Sequence, residues 1–185
     1  LEPPAGAIFE NETCLERTND GCALEDPAWM TLPCGYSVYG TCVTSVPRDT
    51  DWVRLAPSVS MRYTFTLQAE FPARMLLVDG ACSGPHRTVD LRAVEPCSSL
   101  AWTFDVPPGE WFLIVDVGNT RRTIRGGVPC DEIDPKDPPD KDDEPPPSYY
   151  GLNYILSLAC EPFDVLDGDL NGDGVTEASA IDGVA

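Results

Sequence analysis

The chain is poor in histidine, in positive charge and in long apolar runs. His86 is its one histidine, so a Ser-His-Asp triad would have to use that residue. Lys and Arg number 12 against 31 Asp and Glu, giving a formal net charge of −19. Such a surface repels phosphate backbones and anionic membranes, which argues against nucleic acid as a partner. It favours divalent cations, although simple solubility explains the same excess. The longest purely apolar run is WFLIV at 111–115, far short of the roughly 20 residues that span a membrane. There is no signal-peptide pattern. The opening LEPPAGA reads as a mature N-terminus left after cleavage, or as an artificial boundary. HExxH, GxSxG, P-loop and GxGxxG patterns are all missing. With 31 acids, carboxylate pairs are too plentiful to point to glycoside hydrolysis.

Cysteine is what the chain has in quantity. The eight are Cys14, Cys22, Cys34, Cys42, Cys82, Cys97, Cys130 and Cys160, with no CxxC among them. Zinc sites want closely spaced Cys or Cys/His pairs, so disulfides formed in an oxidising compartment fit better. Sequence leaves the connectivity open. Pairing between neighbours is the simplest expectation: Cys14–Cys22, Cys34–Cys42, Cys82–Cys97 and Cys130–Cys160.

Residues 1–35 are rich in turn formers and hold three of these cysteines, which suggests a stapled loop. Beyond them the hydrophobic period becomes two. In SMRYTFTLQA (60–69), Met61, Tyr63, Phe65 and Leu67 share one face, and Arg62, Thr64, Thr66 and Gln68 the other. That is the pattern of a half-buried strand. It recurs at 73–79, 88–94, 100–106, 110–117 and 150–159, with further candidates at 36–43 and 51–56. PPGE at 107–110 signals a tight turn. No stretch carries a helical stripe. Short strands at this spacing predict an all-β fold, an antiparallel sandwich or barrel. The segment CDEIDPKDPPDKDDEPPPS (130–148) mixes acids with prolines and cannot bury apolar area. It reads as an acidic, Pro-rich insertion loop, either a solvated spacer or an arm that collects cations or touches a partner.

The order of several short motifs carries a resemblance. GYSVYGT at 35–41 leads to RDTDWVRL at 48–55, then to a YTFTL strand, a Pro-Gly turn before WFLIVDV, and GGVPC followed by YILSLAC. This order resembles the bacterial pre-peptidase C-terminal domain family, in the cysteine-rich form of secreted proteins, over about residues 8–161. The resemblance implies a β-sandwich of jelly-roll type that accompanies secreted enzymes or surface proteins without catalysing anything itself. Some members, including collagen-binding domains of secreted collagenases, bind calcium through an acidic N-terminal segment. IFENETC places Glu10, Asn11 and Glu12 where that segment would lie.

A second resemblance covers the end of the chain. DGDLNGDGVTEASA at 167–180 is similar to the calcium loop of dockerins and EF-hands. Asp169, Asn171 and Asp173 take positions 1, 3 and 5, Gly174 the turn, Val175 the carbonyl at position 7 and Glu177 position 9. Calcium wants six to eight oxygens, and this alternation aims them at one centre. Position 12 is Ala180 rather than an acid, and no second loop follows. Asp49 and Asp51, ahead of Trp52, either do acid–base work or bind calcium, with Glu10 and Glu12 adding ligands if the arm folds back, or they cap a turn into a strand. Trp29, Trp52, Trp102 and Trp111 either line a glycan or peptide platform or pack into the core. His86, with Ser83 and Asp90 nearby, is the one place a hydrolase site could hide. Asn11-Glu12-Thr13 is a glycosylation sequon.

These observations lead to a disulfide-stapled β-sandwich at 1–161, followed by a tail at 162–185 with a partial calcium loop. The expected function is a non-catalytic, secreted structural or adhesion module at the cell surface. Calcium would stabilise it, and self-assembly into a fibre or layer is one form it could take. Its partner would be itself, or an extracellular protein or polysaccharide. An accessory binding module of a secreted enzyme is the alternative, and a hydrolase with an unrecognised site is the runner-up from another class.

Overall fold

The computed structural model describes residues 1–10, 18–42, 50–84, 87–117 and 153–162. Among the described residues nine strands run in chain order as β1 (Ile8–Phe9), β2 (Ser37–Thr41), β3 (Thr50–Leu55), β4 (Met61–Ala69), β5 (Ala73–Asp79), β6 (Arg87–Val94), β7 (Ser99–Val106), β8 (Trp111–Val117) and β9 (Asn153–Pro162). They form two sheets, ordered β1-β2-β9-β4-β7 and β3-β8-β5-β6. Every pair is antiparallel except β1–β2. Only β1–β2 and β5–β6 join strands consecutive in sequence. Every other link crosses between the sheets or passes over a strand, which makes a jelly-roll path. The PPGE turn is such a crossing: it takes the chain from β7 in one sheet to β8 in the other. No helix among the described residues is long and apolar enough to cross a membrane.

The period of two is written into the burial of β4. Tyr63, Phe65, Leu67 and Ala69 are buried, while Thr64, Thr66 and Gln68 stay partly open. The buried face joins residues of both sheets in one core, including Met75, Leu77, Leu113, Val115, Leu156 and Leu158. Apolar area removed from water between two sheets is the main stabilising term of such a fold.

β8 departs from the alternation, and the reason is a second core. Phe112, Leu113, Ile114, Val115 and Val117 are all buried. Leu113, Val115 and Val117 face inward, whereas Phe112 and Ile114 join Trp52 and Val78 in a cluster on the sheet's outer face. Cys22, Trp29, Leu76 and Cys82 cover that cluster. Trp29 and Trp52 contact Phe112 with ring centroids 5.6 and 5.4 Å apart. A strand buried on both faces reads as a continuous apolar run, which explains WFLIV. Trp52 is therefore buried under the N-terminal arm, outside the main core. Trp102 is buried in the main core, and Trp29 and Trp111 are half-buried, so the four tryptophans do not form a binding platform.

The disulfides overturn the expectation of neighbour pairing. Cys22 is bonded to Cys82 across 60 residues, with Cα atoms 5.0 Å apart. Cys34 is bonded to Cys160 across 126 residues, with Cα atoms 5.6 Å apart. Cys14–Cys22, Cys34–Cys42, Cys82–Cys97 and Cys130–Cys160 are thus all replaced. Cys97 is itself disulfide-bonded, Cys42 is buried, and Cys14 and Cys130 lie outside the described residues. The physical reason is the course of the strands. Cys34 and Cys42 stand at opposite ends of β2, and Cys82 and Cys97 at opposite ends of β6, so a strand's length separates each of these expected pairs, while residues 22 and 82 meet over one outer face. Residue 34 meets β9 where Gly35 N donates to Leu158 O at 2.7 Å.

Candidate functional site

The polar chemistry of the described residues gathers where the N-terminal arm meets the starts of β3 and β9. Glu10 follows β1, and its backbone N–H donates to Tyr39 O at 3.0 Å. Its carboxylate accepts from Asn19 Nδ2 at 2.6 Å and from Thr41 N at 2.7 Å. Asn19 continues the link through its carbonyl, which accepts from Trp52 N at 3.1 Å. Asp20 Oδ1 accepts from both the backbone N and the hydroxyl of Thr50, each at 2.7 Å. Thr50 Oγ1 in turn accepts from Trp52 Nε1 at 3.1 Å. One chain of bonds therefore runs from β2 through the arm to β3, tying one sheet to the other.

Asp20 and Asp51 are fully buried, which is costly for carboxylates unless hydrogen bonds compensate. Asp51 stands on β3 opposite Val115 of β8, near enough for its charge to act on Tyr154, whose hydroxyl donates to Met30 Sδ at 4.0 Å. Tyr154 is itself wholly buried on β9. Burial, then the negative fields of Asp51, Glu10 and Cys42, hold its hydroxyl pKa well above the ordinary value of 10.0. Glu10 and Asp51, named from sequence on separate grounds, thus act on the same phenol. Asn19 and Asp20, which sequence reasoning passed over, complete the junction. Their only signal was TNDG at 18–21, which also reads as plain turn text.

Among the described residues, no group of three His, Cys, Asp or Glu is placed to hold a metal. Glu12 and Asp49 lie outside the described residues. So do the tail positions Asp169, Asn171, Asp173, Val175 and Glu177, the 130–148 insertion, and His86. Asp90, the third member of the triad considered from sequence, is held by Arg92 at 2.8 Å on β6.

No family model matches the chain, and no curated protein matches it. Among solved structures, the pre-peptidase C-terminal domain of a collagenase from Bacillus anthracis is similar at 10% identity and a TM-score of 0.43. The match covers 72% of this chain and 99% of that one. The sandwich itself stands on the strand pairing described above.

Proposed function

We propose that this chain is a non-catalytic, secreted structural or adhesion module of the cell surface, stabilised by calcium. The observation that supports this best is the use made of the polar side chains at the arm junction. Glu10, Asn19 and Asp20 hold the arm to β2 and β3, and Cys22–Cys82 holds it to the end of β5. Carboxylates and cysteines that lock the chain to itself suit a protein that bears load or adheres. Disulfides spanning 60 and 126 residues suit an oxidising extracellular compartment.

Calcium enters through the acids. Glu10 and Asp51 already converge on Tyr154, and Glu12 and Asp49 are close to them in sequence. A hard cation among these carboxylates would offset their mutual repulsion. The tail loop of Asp169, Asn171, Asp173, Val175 and Glu177 would supply a second, weaker site. Thermal unfolding of the whole chain in millimolar calcium and in EDTA tests this. The transition should rise by several degrees in calcium, because a ligand that binds only the folded state stabilises it. Asp51→Asn should remove most of that rise. A transition that ignores both calcium and EDTA overturns the calcium part of the proposal.

One observation favours the accessory-module version. Phe9 is 63% exposed and lies edge-on to Tyr39, centroids 5.8 Å apart. Nearby on the same sheet the Ser37 and Ser157 hydroxyls meet at 2.7 Å. Aromatic rings beside small neutral hydroxyls suit a polysaccharide or an uncharged stretch of protein. Co-sedimentation with insoluble polysaccharides and with collagen tests it; binding that Phe9→Ala abolishes would support this version over self-association.

A further inference from the structure

Each sheet ends in an eight-residue edge strand, β6 in one and β7 in the other. A short turn closed by Ser98 N to Glu95 O at 3.2 Å joins them, so both edges lie on one side of the sandwich. They are built differently. The β6 pairing slips between Leu77 and Val78 of β5, which leaves Val89 bulged. Asp90 and Arg92 form an ion pair on that strand, and the Arg92 guanidinium leans over the Trp102 ring, 5.2 Å from its centroid. Bulges and inward-leaning charges are devices that stop an edge from accepting another strand.

β7 has no bulge, and the inward-leaning charge against it is Arg92 of β6, over the Trp102 ring. β7 pairs with β4 from Ser99 to Gln68 through Val106 to Met61 without a shift in register. Leu100, Trp102, Phe104 and Val106 face the core, and Phe104 stacks on Phe65 with centroids 5.9 Å apart. The strand's one charge, Asp105, accepts two hydrogen bonds from Arg62, at 2.8 and 2.9 Å. The strand is therefore locally neutral on a chain of formal charge −19, where most other surfaces of two copies would repel. The far edges are less open. β1 has two residues, and Met30 bridges to Val53 along the outer side of β3. Among the described residues no strand pairs with the outer side of β7.

We infer that β7 is the association edge, and that its partner is β7 of a second copy, paired antiparallel so that two five-stranded sheets become one. The inference rests on the structural-module reading and names that module's partner. Antiparallel pairing about a twofold axis keeps core-facing residues on the same side of the joined sheet. Centred on Trp102, it sets Leu100 opposite Phe104 of the second copy, Ala101 opposite Thr103 and Ser99 opposite Asp105. No like charges meet along the two β7 strands, the Arg92 beside each Trp102 is paired with Asp90, and the half-buried Leu100 and Phe104 gain apolar neighbours. In the other layer, Val89 and Leu91 on β6 are 44% and 39% exposed and gain apolar cover from the same approach.

The test uses the whole chain. Light scattering across a concentration series should show twice the chain mass. Ala101→Glu with Thr103→Glu, both at exposed positions, sets Glu opposite Glu twice and should return the mass to one chain with the thermal transition kept. Val59→Glu, on an exposed loop, should leave the doubled mass unchanged. Backbone hydrogen exchange needs no variant: β7 amides should slow at least tenfold between dilute and concentrated protein while β6 amides stay constant. Exchange in β7 that does not change with concentration overturns the inference. So does association that survives the double substitution in a folded chain. A chain that is single at every concentration yet stabilised by calcium overturns the inference alone and leaves the calcium-stabilised module standing.

Discussion

Gly40 and Tyr154 face each other across the β2–β9 ladder, and the phenol ring fills the space a side chain at 40 would need. A β-carbon added to Gly40 would lie 2.5 Å from the Tyr154 ring and hydroxyl. Both positions are buried, so neither can retreat into solvent. Gly40→Ala should therefore destabilise by about 1–3 kcal/mol through overpacking. Gly84→Ala, where the nearest atom is 3.9 Å away, should unfold close to the parent. Urea denaturation of the two variants checks the contrast.

The arm over the outer face depends on the Cys22–Cys82 bond. Replacing both by serine should cost about 2–4 kcal/mol. It should also wet the cluster of Trp52, Phe112 and Ile114 beneath the arm. Tryptophan emission should shift to the red below the unfolding transition, and limited proteolysis should cut within 18–30 first. Blue emission with an intact arm would show that packing alone holds it.

Tyr154 sets an alkaline limit. Its folded pKa is raised by burial first, then by Asp51, Glu10 and Cys42, from an ordinary value of 10.0. The native state therefore holds this proton more tightly than the unfolded chain does. The stability tied to it is fully present below pH 10.0 and is lost as pH climbs toward the folded value. Stability measured from pH 8 to 11.5 should decline above about 10. Tyr154→Phe removes the titrating hydroxyl and should flatten the decline.

Two arginine–aspartate pairs should behave differently. Arg74 and Asp116 stand opposite each other on β5 and β8 and form an ion pair, with only 5% of the Asp116 side chain exposed. Arg74→Ala should cost about 2–3 kcal/mol, because it strands a buried carboxylate. Arg62 and Asp105 lie on the open face of the other sheet, where solvent screens them, and Arg62→Ala should change the melting temperature little. Equal losses would contradict the assigned burial.

The strands were legible in the sequence wherever one face meets the core and the other meets water. β4 and β9 alternate cleanly for that reason. β8 announced itself as a strand, but the roof over its outer face did not, because that roof is brought in from 60 residues away. The same long-range contact defeated the cysteine pairing. At the arm junction, Glu10 and Asp51 were legible as acids in a suggestive context. Asn19 and Asp20 were not, since residues that only shape a turn and residues that tie two strands together look alike in text. Tyr154 was hidden inside a regular apolar alternation, and the partner of its hydroxyl is set by tertiary structure alone.

The central claim is that this sandwich works by holding to something rather than by transforming it, with calcium supporting it and another copy as its first partner. Particle mass by light scattering, in millimolar calcium and again in EDTA, tests that most directly. The account predicts a doubled mass in both solutions, because β7 and the arm junction lie at opposite edges of their sheet, with calcium read separately as a higher thermal transition. A single-chain mass in both solutions would contradict it.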